Sequence, residues 1–377
     1  MKVDFFKHNL EKKDIENVNK VLNSLFLTTG ETVGEFENKL AKYLGVKYAV
    51  GLTSCTAALH LSLLAYGIGK DNEVITSPMS FISTANAIEF TGAKPVFVDV
   101  EKNTGNINAD LIEKAITKKT KAIIPVHLYG QLCDMKKIQK IANKYNLIII
   151  EDAAHSLEAQ RDGYRAGQIG NTASFSFYAT KNITSGEGGA AVTNDKNIAE
   201  WLKKARLHGM SKSAAERYSK KYQHYDMEFL GWKYNMTNIQ AAMLLNQLDK
   251  IEERLKKREK ICQIYNNAFK NIKNIQIPEI LPKTKPARYI YTIQVDPKKR
   301  DKIIHQLQKK GIGIAVNFRP IHLMKYYRKK YGYKKGMYPN AEKIGASTIT
   351  LPLYPKLTRK EVRYIIRSVI DIIKNKK

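Results

Sequence analysis

Between Tyr48 and about Thr193 the chain alternates short β-branched runs (YAVGL, EVITSP, AKPVFVDV, KAIIPVHL, NLIIIEDAA, GGAAVT) with stretches of helical periodicity. Apolar runs without polar alternation are strands buried on both faces, and helices between them imply a mainly parallel sheet covered on each side. Helices are expected over segments such as Thr56 to Ala65 and Lys136 to Lys144. Polar residues gather at the carboxyl ends of the runs, at Ser77, His127 and Asp152. In open α/β sheets that edge is where ligands bind.

Downstream, apolar residues at helical spacing (Ile239, Met243, Leu244, Leu248, Ile251, Leu255) run from Thr237 to about Phe269 with no internal Gly or Pro. They predict one long helix joining two domains, a large one over residues 1–245 and a smaller α+β one over 246–377. Within the second, RYIYTIQV and the stretch near GIAVNF read as strands, and KKRDKIIHQLQKK and KEVRYIIRSVIDIIK as helices.

The charge balance, 64 Lys+Arg against 35 Asp+Glu, is +29. Such a field attracts phosphates, anionic membrane or nucleic acid. A nucleic-acid-binding or regulatory protein is therefore the alternative of a different class. Against it, the lysines are dispersed among glutamates, as in KIEERLKKREK, and no zinc-finger, RNP or basic-zipper pattern occurs. Cys55, Cys133 and Cys262 are scattered with no CxxC pair, so no metal site is expected and a reducing, cytoplasmic setting fits. No apolar run approaches the ~20 residues that span a bilayer.

Three places can carry chemistry. Asp152 ends the run IIIEDAAHS, and a carboxylate there needs a cationic or donor partner, with helix capping or a salt bridge as the plainer reading. In GLTSCTAALHL, Ser54, Cys55 and Thr56 stand at a helix start whose free amides make an anion site, although simple N-capping needs no ligand. Lys181 lies between FSFY and the turn TSGEGG; an amine losing solvation against apolar neighbours becomes a nucleophile toward carbonyls. A snorkelling surface lysine is the alternative. Together with the aromatic Phe81 after another strand, these are the parts pyridoxal phosphate needs: a carboxylate for the ring nitrogen, a helix start for the phosphate, a flat side chain for the ring face.

The segments EDAAHS, FSFYATKNITSGEGG and GWKYNMTNIQAAMLLNQL resemble those of the DegT-type pyridoxal-phosphate-dependent nucleotide-sugar aminotransferases, from FLTTGETVGEFE through LPLYP. The resemblance implies the fold-type-I α/β architecture: a seven-stranded mixed sheet flanked by helices, plus a smaller C-terminal α+β domain. It implies that Lys181 makes the Schiff-base link and shuttles protons, and that Asp152 pairs with the ring nitrogen. By the same token His155 lies near the phenolic oxygen, Phe81 stacks on the ring, and Ser54, Cys55, Thr56 and Ser176 bind the phosphate. Asn235 would reach the phosphate of a partner subunit, implying a homodimer with shared sites. Thr28, Thr29, Lys233, Asn317, Arg319 and His322 are candidates for substrate contact; Asn317 stands where the family has histidine or tyrosine. The implied reaction is amination of a UDP- or dTDP-linked 4-keto-6-deoxyhexose with L-glutamate as donor. Amination of a 3-ketosugar and amino-acid transamination are the neighbouring readings.

Overall fold

The computed structural model describes residues 1–211 and 224–374. The strands, in chain order, are β1 (Tyr48–Leu52), β2 (Glu73–Thr76), β3 (Lys94–Phe97), β4 (Thr120–Ile124), β5 (Ile148–Asp152), the short β6 (Gln160–Arg161) and β7 (Tyr164–Arg165), then β8 (Thr172–Ser176) and β9 (Gly189–Thr193). Seven of them form one sheet in the order β1-β9-β8-β5-β4-β2-β3. The pairings β2–β3, β2–β4, β4–β5 and β5–β8 are parallel, while β9 runs antiparallel to both β1 and β8. The expected mixed, mostly parallel sheet is therefore present.

Period-two alternation sends successive side chains to opposite faces. Ile75, Ile123 and Ile149 face a core completed by Ile138, Ile141 and Ala142 of the Met135–Tyr145 helix. Val74, Ala122, Ile124 and Ile150 face the other side, against Cys55, Leu59 and Leu63. Burying each such aliphatic side chain contributes roughly 1.5 to 3 kcal/mol. The same alternation puts Glu151 and Asp152 on opposite faces at the end of β5. Glu151 is satisfied entirely within the protein, accepting from the Gly167 and Gly170 amides at 3.1 and 2.8 Å and lying 2.7 Å from His127 Nε2.

The helix Cys55–Ala65 starts at Ser54, whose Oγ accepts from Ala57 N at 3.1 Å. It packs against both the sheet and outer helices, so it is apolar nearly all round, as buried helices are. The helix Asn238–Asp249 opens with a Thr237/Gln240 capping box.

The expected single helix from Thr237 to Phe269 is two helices, Asn238–Asp249 and Ile251–Phe269, broken at Lys250 (φ −97°, ψ 5°). No Gly or Pro marks the break; tertiary contacts impose it. Leu244, Leu245 and Leu248 pack into the core beneath the N-terminal helices, whereas Ile261, Cys262, Tyr265 and Phe269 belong to a second core. Lys250 and Arg254 are held at the bend by Glu11, at 2.5 and 3.2 Å. The proposed boundary at 245/246 falls inside the first of these helices.

The second core is built on β11 (Tyr291–Gln294) paired antiparallel with β12 (Thr348–Leu351), β10 (Thr284–Lys285) having joined the β6–β7 hairpin. The helices Arg300–Lys309 and Arg359–Lys374 cover it. The strand expected near GIAVNF is reduced to one bridge, Ala315 to Thr350, on the edge of β12 that β11 leaves free.

A buried ion pair fastens the first strand to its surroundings. Glu37 Oε1 accepts from Gly51 N at 2.8 Å and from Arg206 Nη1, which also donates to Gly51 O at 2.8 Å. Both side chains are buried. Removing one partner of such a pair leaves an uncompensated charge, at a cost of about 3 to 5 kcal/mol. Arg206→Met should therefore lower the unfolding free energy by that amount, seen as a lower urea midpoint with little change in slope; an unchanged midpoint would show the pair to be dispensable.

Candidate active site

The carboxyl ends of β1, β5 and β8 converge on a cavity of about 570 Å³. Its wall includes Ser54, Cys55, Thr56, Phe81, Asp152, His155, Ser176, Lys181 and Asn317, so nine side chains singled out in the sequence meet there. They come from segments up to 263 residues apart (317 − 54), brought together by the sheet order and by the seating of the later chain against it.

Asp152 lies at the floor and is buried. Its Oδ2 accepts from Thr84 Oγ1 at 2.6 Å, and its Oδ1 from Ala154 N at 3.2 Å. Thr84 Oγ1 is in turn 2.7 Å from Ser80 Oγ. The donor the sequence demanded is thus a threonine hydroxyl, and among the described residues no cation forms an ion pair with this carboxylate. Thr84 and Ser80 had not been singled out, although both lie in the segment that carries Phe81. Cys55 Sγ sits 3.9 Å from Asp152 Oδ1; burial first, and the carboxylate second, push its thiol well above the usual range.

At one end of the cavity the helix start offers amides that have no intrahelical acceptor, beside the hydroxyls of Ser54, Thr56 and Ser176. Ser54 acts as the N-cap, so the plainer expectation for this segment is met. Glycine is required opposite: a Cβ on Gly189 would stand 2.2 Å from the Ser54 carbonyl carbon and 2.4 Å from Cys55 N.

Lys181 follows β8 in a turn closed by its amide on Tyr178 O at 2.9 Å. It is partly buried, and its Nζ lies 4.1 Å from the centroid of the Tyr289 ring. A cation over an aromatic face is held electrostatically without being neutralised. The Tyr289 hydroxyl is 3.1 Å from Thr180 Oγ1, and its ring stacks on His155 at 4.4 Å and 23°. His155 also lies parallel to Phe318, at 5.8 Å and 12°. Desolvation, then the Lys181 charge, hold the imidazole pKa well below its ordinary value, so His155 is neutral. Its Nδ1 is buried with no partner among the described residues. Tyr289 and Phe318 were also missed, for they sit in or beside apolar runs that carry no motif.

Other expected residues lie elsewhere. Asn235 is buried beside Leu52, its Nδ2 donating to Thr29 Oγ1 at 2.8 Å and reaching Thr28 Oγ1 at 3.4 Å. Lys233 and Arg319 are exposed. His322 is buried against Glu342, 3.0 Å from Nε2 to Oε1, and so is closed off from the cavity. Asn317 does line the cavity; its Oδ1 accepts from Thr350 Oγ1 at 2.9 Å, which leaves its amide nitrogen as the donor it can present.

A buried carboxylate, an amine, a cluster of free amides and hydroxyls, and flat rings around one chamber suit a phosphorylated pyridine aldehyde, and the unpartnered His155 nitrogen provides a further polar contact. The fold and the site define a pyridoxal-phosphate-dependent transferase. The sequence matches the DegT/DnrJ/EryC1/StrS aminotransferase family over residues 8–370. It is 43% identical over 369 residues to the spore coat polysaccharide biosynthesis protein SpsC of Bacillus subtilis, covering 96% of this chain and 95% of that one. It is 35% identical over 379 residues to the UDP-4-amino-4-deoxy-L-arabinose–oxoglutarate aminotransferase of Shewanella sediminis, covering 97% of each. The sugar aminotransferase Spr1654 of Streptococcus pneumoniae, described as putative and solved in its PMP and PLP forms, superimposes in the PMP form with a TM-score of 0.93 at 32% identity, over 98% of this chain and 100% of that one. The chain belongs to the DegT/DnrJ/EryC1/StrS aminotransferase family. It is a sugar aminotransferase that acts on nucleotide sugars with pyridoxal phosphate as cofactor.

The close approach at Gly189 is testable. Gly189→Ala forces β9 away from the helix start, an overpacking that costs about 1 to 3 kcal/mol. Urea unfolding should register that loss, and titration with pyridoxal phosphate should show weaker binding; wild-type values for both would disprove the contact.

Proposed function

We propose that the protein moves an amino group from L-glutamate to carbon four of a UDP- or dTDP-linked 4-keto-6-deoxyhexose. The observation that carries the donor and carbon assignments is the relative named for a UDP-linked 4-amino sugar and oxoglutarate, similar along nearly the whole chain. The motif FYATKNIT and the run KYNMTNIQAA support the same carbon.

Pyridoxal phosphate supplies an aldehyde that takes up the amino group and a ring that stores an electron pair. This chain's residues do the rest. The Cys55 and Thr56 amides, with the hydroxyls of Ser54, Thr56 and Ser176, bind the phosphate at the positive end of the helix dipole. Asp152, held in place by Thr84, would pair with the ring nitrogen and favour its protonated form. Phe81 would offer its face to the ring, and His155, its own ring stacked on Tyr289 and Phe318, would stand near the phenolic oxygen. Lys181 would hold the cofactor's aldehyde end, and its Nζ would carry the proton between the donor's carbon and the sugar carbon. Because Tyr289 solvates that amine through its π face only, the nitrogen lone pair or proton stays available. Asn317 directs its amide toward sugar oxygens. The net charge draws in both the sugar diphosphate and the dicarboxylate.

The working form is a homodimer in which Asn235 of one copy serves the phosphate of the other. Its absence from the cavity of its own chain and the Leu25, Met227 and Leu230 side chains exposed on this one support that arrangement. The enzyme works in the cytoplasm, where its three unpaired, buried cysteines stay reduced.

The purified protein should show a visible absorbance band. Lys181→Ala should lose that band and slow transfer by about 10³-fold or more. Turnover of glutamate with a panel of UDP- and dTDP-linked 4-keto and 3-keto sugars should favour a 4-keto-6-deoxy compound; preference for a 3-ketosugar would move the assignment to carbon three.

A further inference from the structure

The residue next to Lys181 is tied to a buried charge that none of the steps above uses. Glu158, which follows the turn carrying His155, has no exposed surface. Its Oε2 accepts from Asn182 Nδ2 at 2.7 Å, and its Oε1 meets Arg258 Nη2 at 2.5 Å. Arg258, from the Ile251–Phe269 helix, is buried as well. Both donors also reach one carbonyl: Asn182 Nδ2 lies 3.1 Å and Arg258 Nη2 3.3 Å from Ala287 O. Two residues beyond Ala287 is Tyr289, the ring that carries Lys181 Nζ.

Stability alone does not account for this arrangement. Taking both charges out of water costs several kcal/mol, and apolar residues of similar volume generally do as well or better. Nor is the pair fully satisfied, since Arg258 Nε and Nη1 have no partner among the described residues. Burial pushes the Glu158 carboxyl up, with the Arg258 charge and the Asn182 bond acting against it. What the network achieves is geometric. One carboxylate, anchored on a long helix, fixes the turn at 180–183 on one side of the lysine and the 287–289 segment on the other.

We propose that Glu158, anchored by Arg258 and acting through Asn182 and Ala287, is the positioning residue for the transfer lysine. It sets where Lys181 Nζ sits relative to the Tyr289 ring and the cavity floor. The proposal rests on Lys181 being that lysine. Misplacement of a reacting group by about 1 Å costs up to ~10²-fold in rate, so small displacements of this turn are expensive.

Asn182→Ala in the holoenzyme tests it, because the Glu158–Arg258 pair stays intact and the fold with it. The expected result is a fall in kcat of about tenfold or more with KM for both substrates within about twofold. The visible band should persist, and the pH midpoint of its titration should shift by about one unit, since the lysine nitrogen is held differently. Asn182→Asp, which sets a carboxylate against Glu158, should be more impaired than Asn182→Ala. A wild-type kcat and titration midpoint in Asn182→Ala, whether or not the thermal midpoint falls, would overturn the proposal. Lys181→Ala measured alongside separates the two ideas: loss of the band there with a wild-type Asn182→Ala rejects only the positioning role, whereas a band that survives Lys181→Ala rejects the lysine assignment.

Discussion

A carboxylate at the end of a strand buried on both faces is costly unless donors meet it, and the site is organised around how Asp152 meets that cost. Parallel pairing of β5 with β4 and β8 leaves its last residue at the sheet's carboxyl edge, on the face where the Cys55–Ala65 helix starts. Thr84 and the Ala154 amide satisfy its oxygens in part, and capacity remains for a charged ligand group from the cavity. Had alternation placed Asp152 on the opposite face, it would have taken Glu151's place among closed internal bonds and served only the fold.

The reversed strand β9 is the second organising feature. Lying between β1 and β8, it is antiparallel to both, and its first residue, Gly189, comes close enough to the Ser54–Cys55 peptide that no side chain fits. That contact fixes the helix start beside Ser176. The Gly-rich turn preceding β9 then has to be short, and Lys181 is delivered into the same chamber by the chain's path from β8 back to β9.

Polar chemistry and apolar rings divide the chamber between them. Asp152, the helix start and Lys181 occupy the edge of the large sheet, while Tyr289 and Phe318 come from the later part of the chain. His155 connects the two through parallel stacking. The buried Glu158–Arg258 pair joins the same two parts behind the lysine. Catalytic geometry therefore depends on how the late segments seat against the sheet, a relation to which these ring faces and the Glu158–Arg258 pair contribute.

Much of this was legible in the amino-acid sequence, because short-range regularities have direct structural consequences. Short β-branched runs without polar alternation specified the strands of the sheet, and a polar residue closing such a run identified Asp152 and its edge. The small hydroxyl residues before an Ala/Leu-rich stretch marked the helix start, and the apolar flanks drew attention to Lys181. Other features depended on residues distant in the chain. The break at Lys250 has no Gly or Pro to announce it and follows from two cores pulling on adjacent turns. Thr84 as the donor to Asp152, Tyr289 beneath Lys181, and the enclosure of His322 by Glu342 arise from juxtapositions that no local periodicity encodes. A sequence determines which segments must be buried and in what conformation; packing in three dimensions decides which side chains those segments bring face to face.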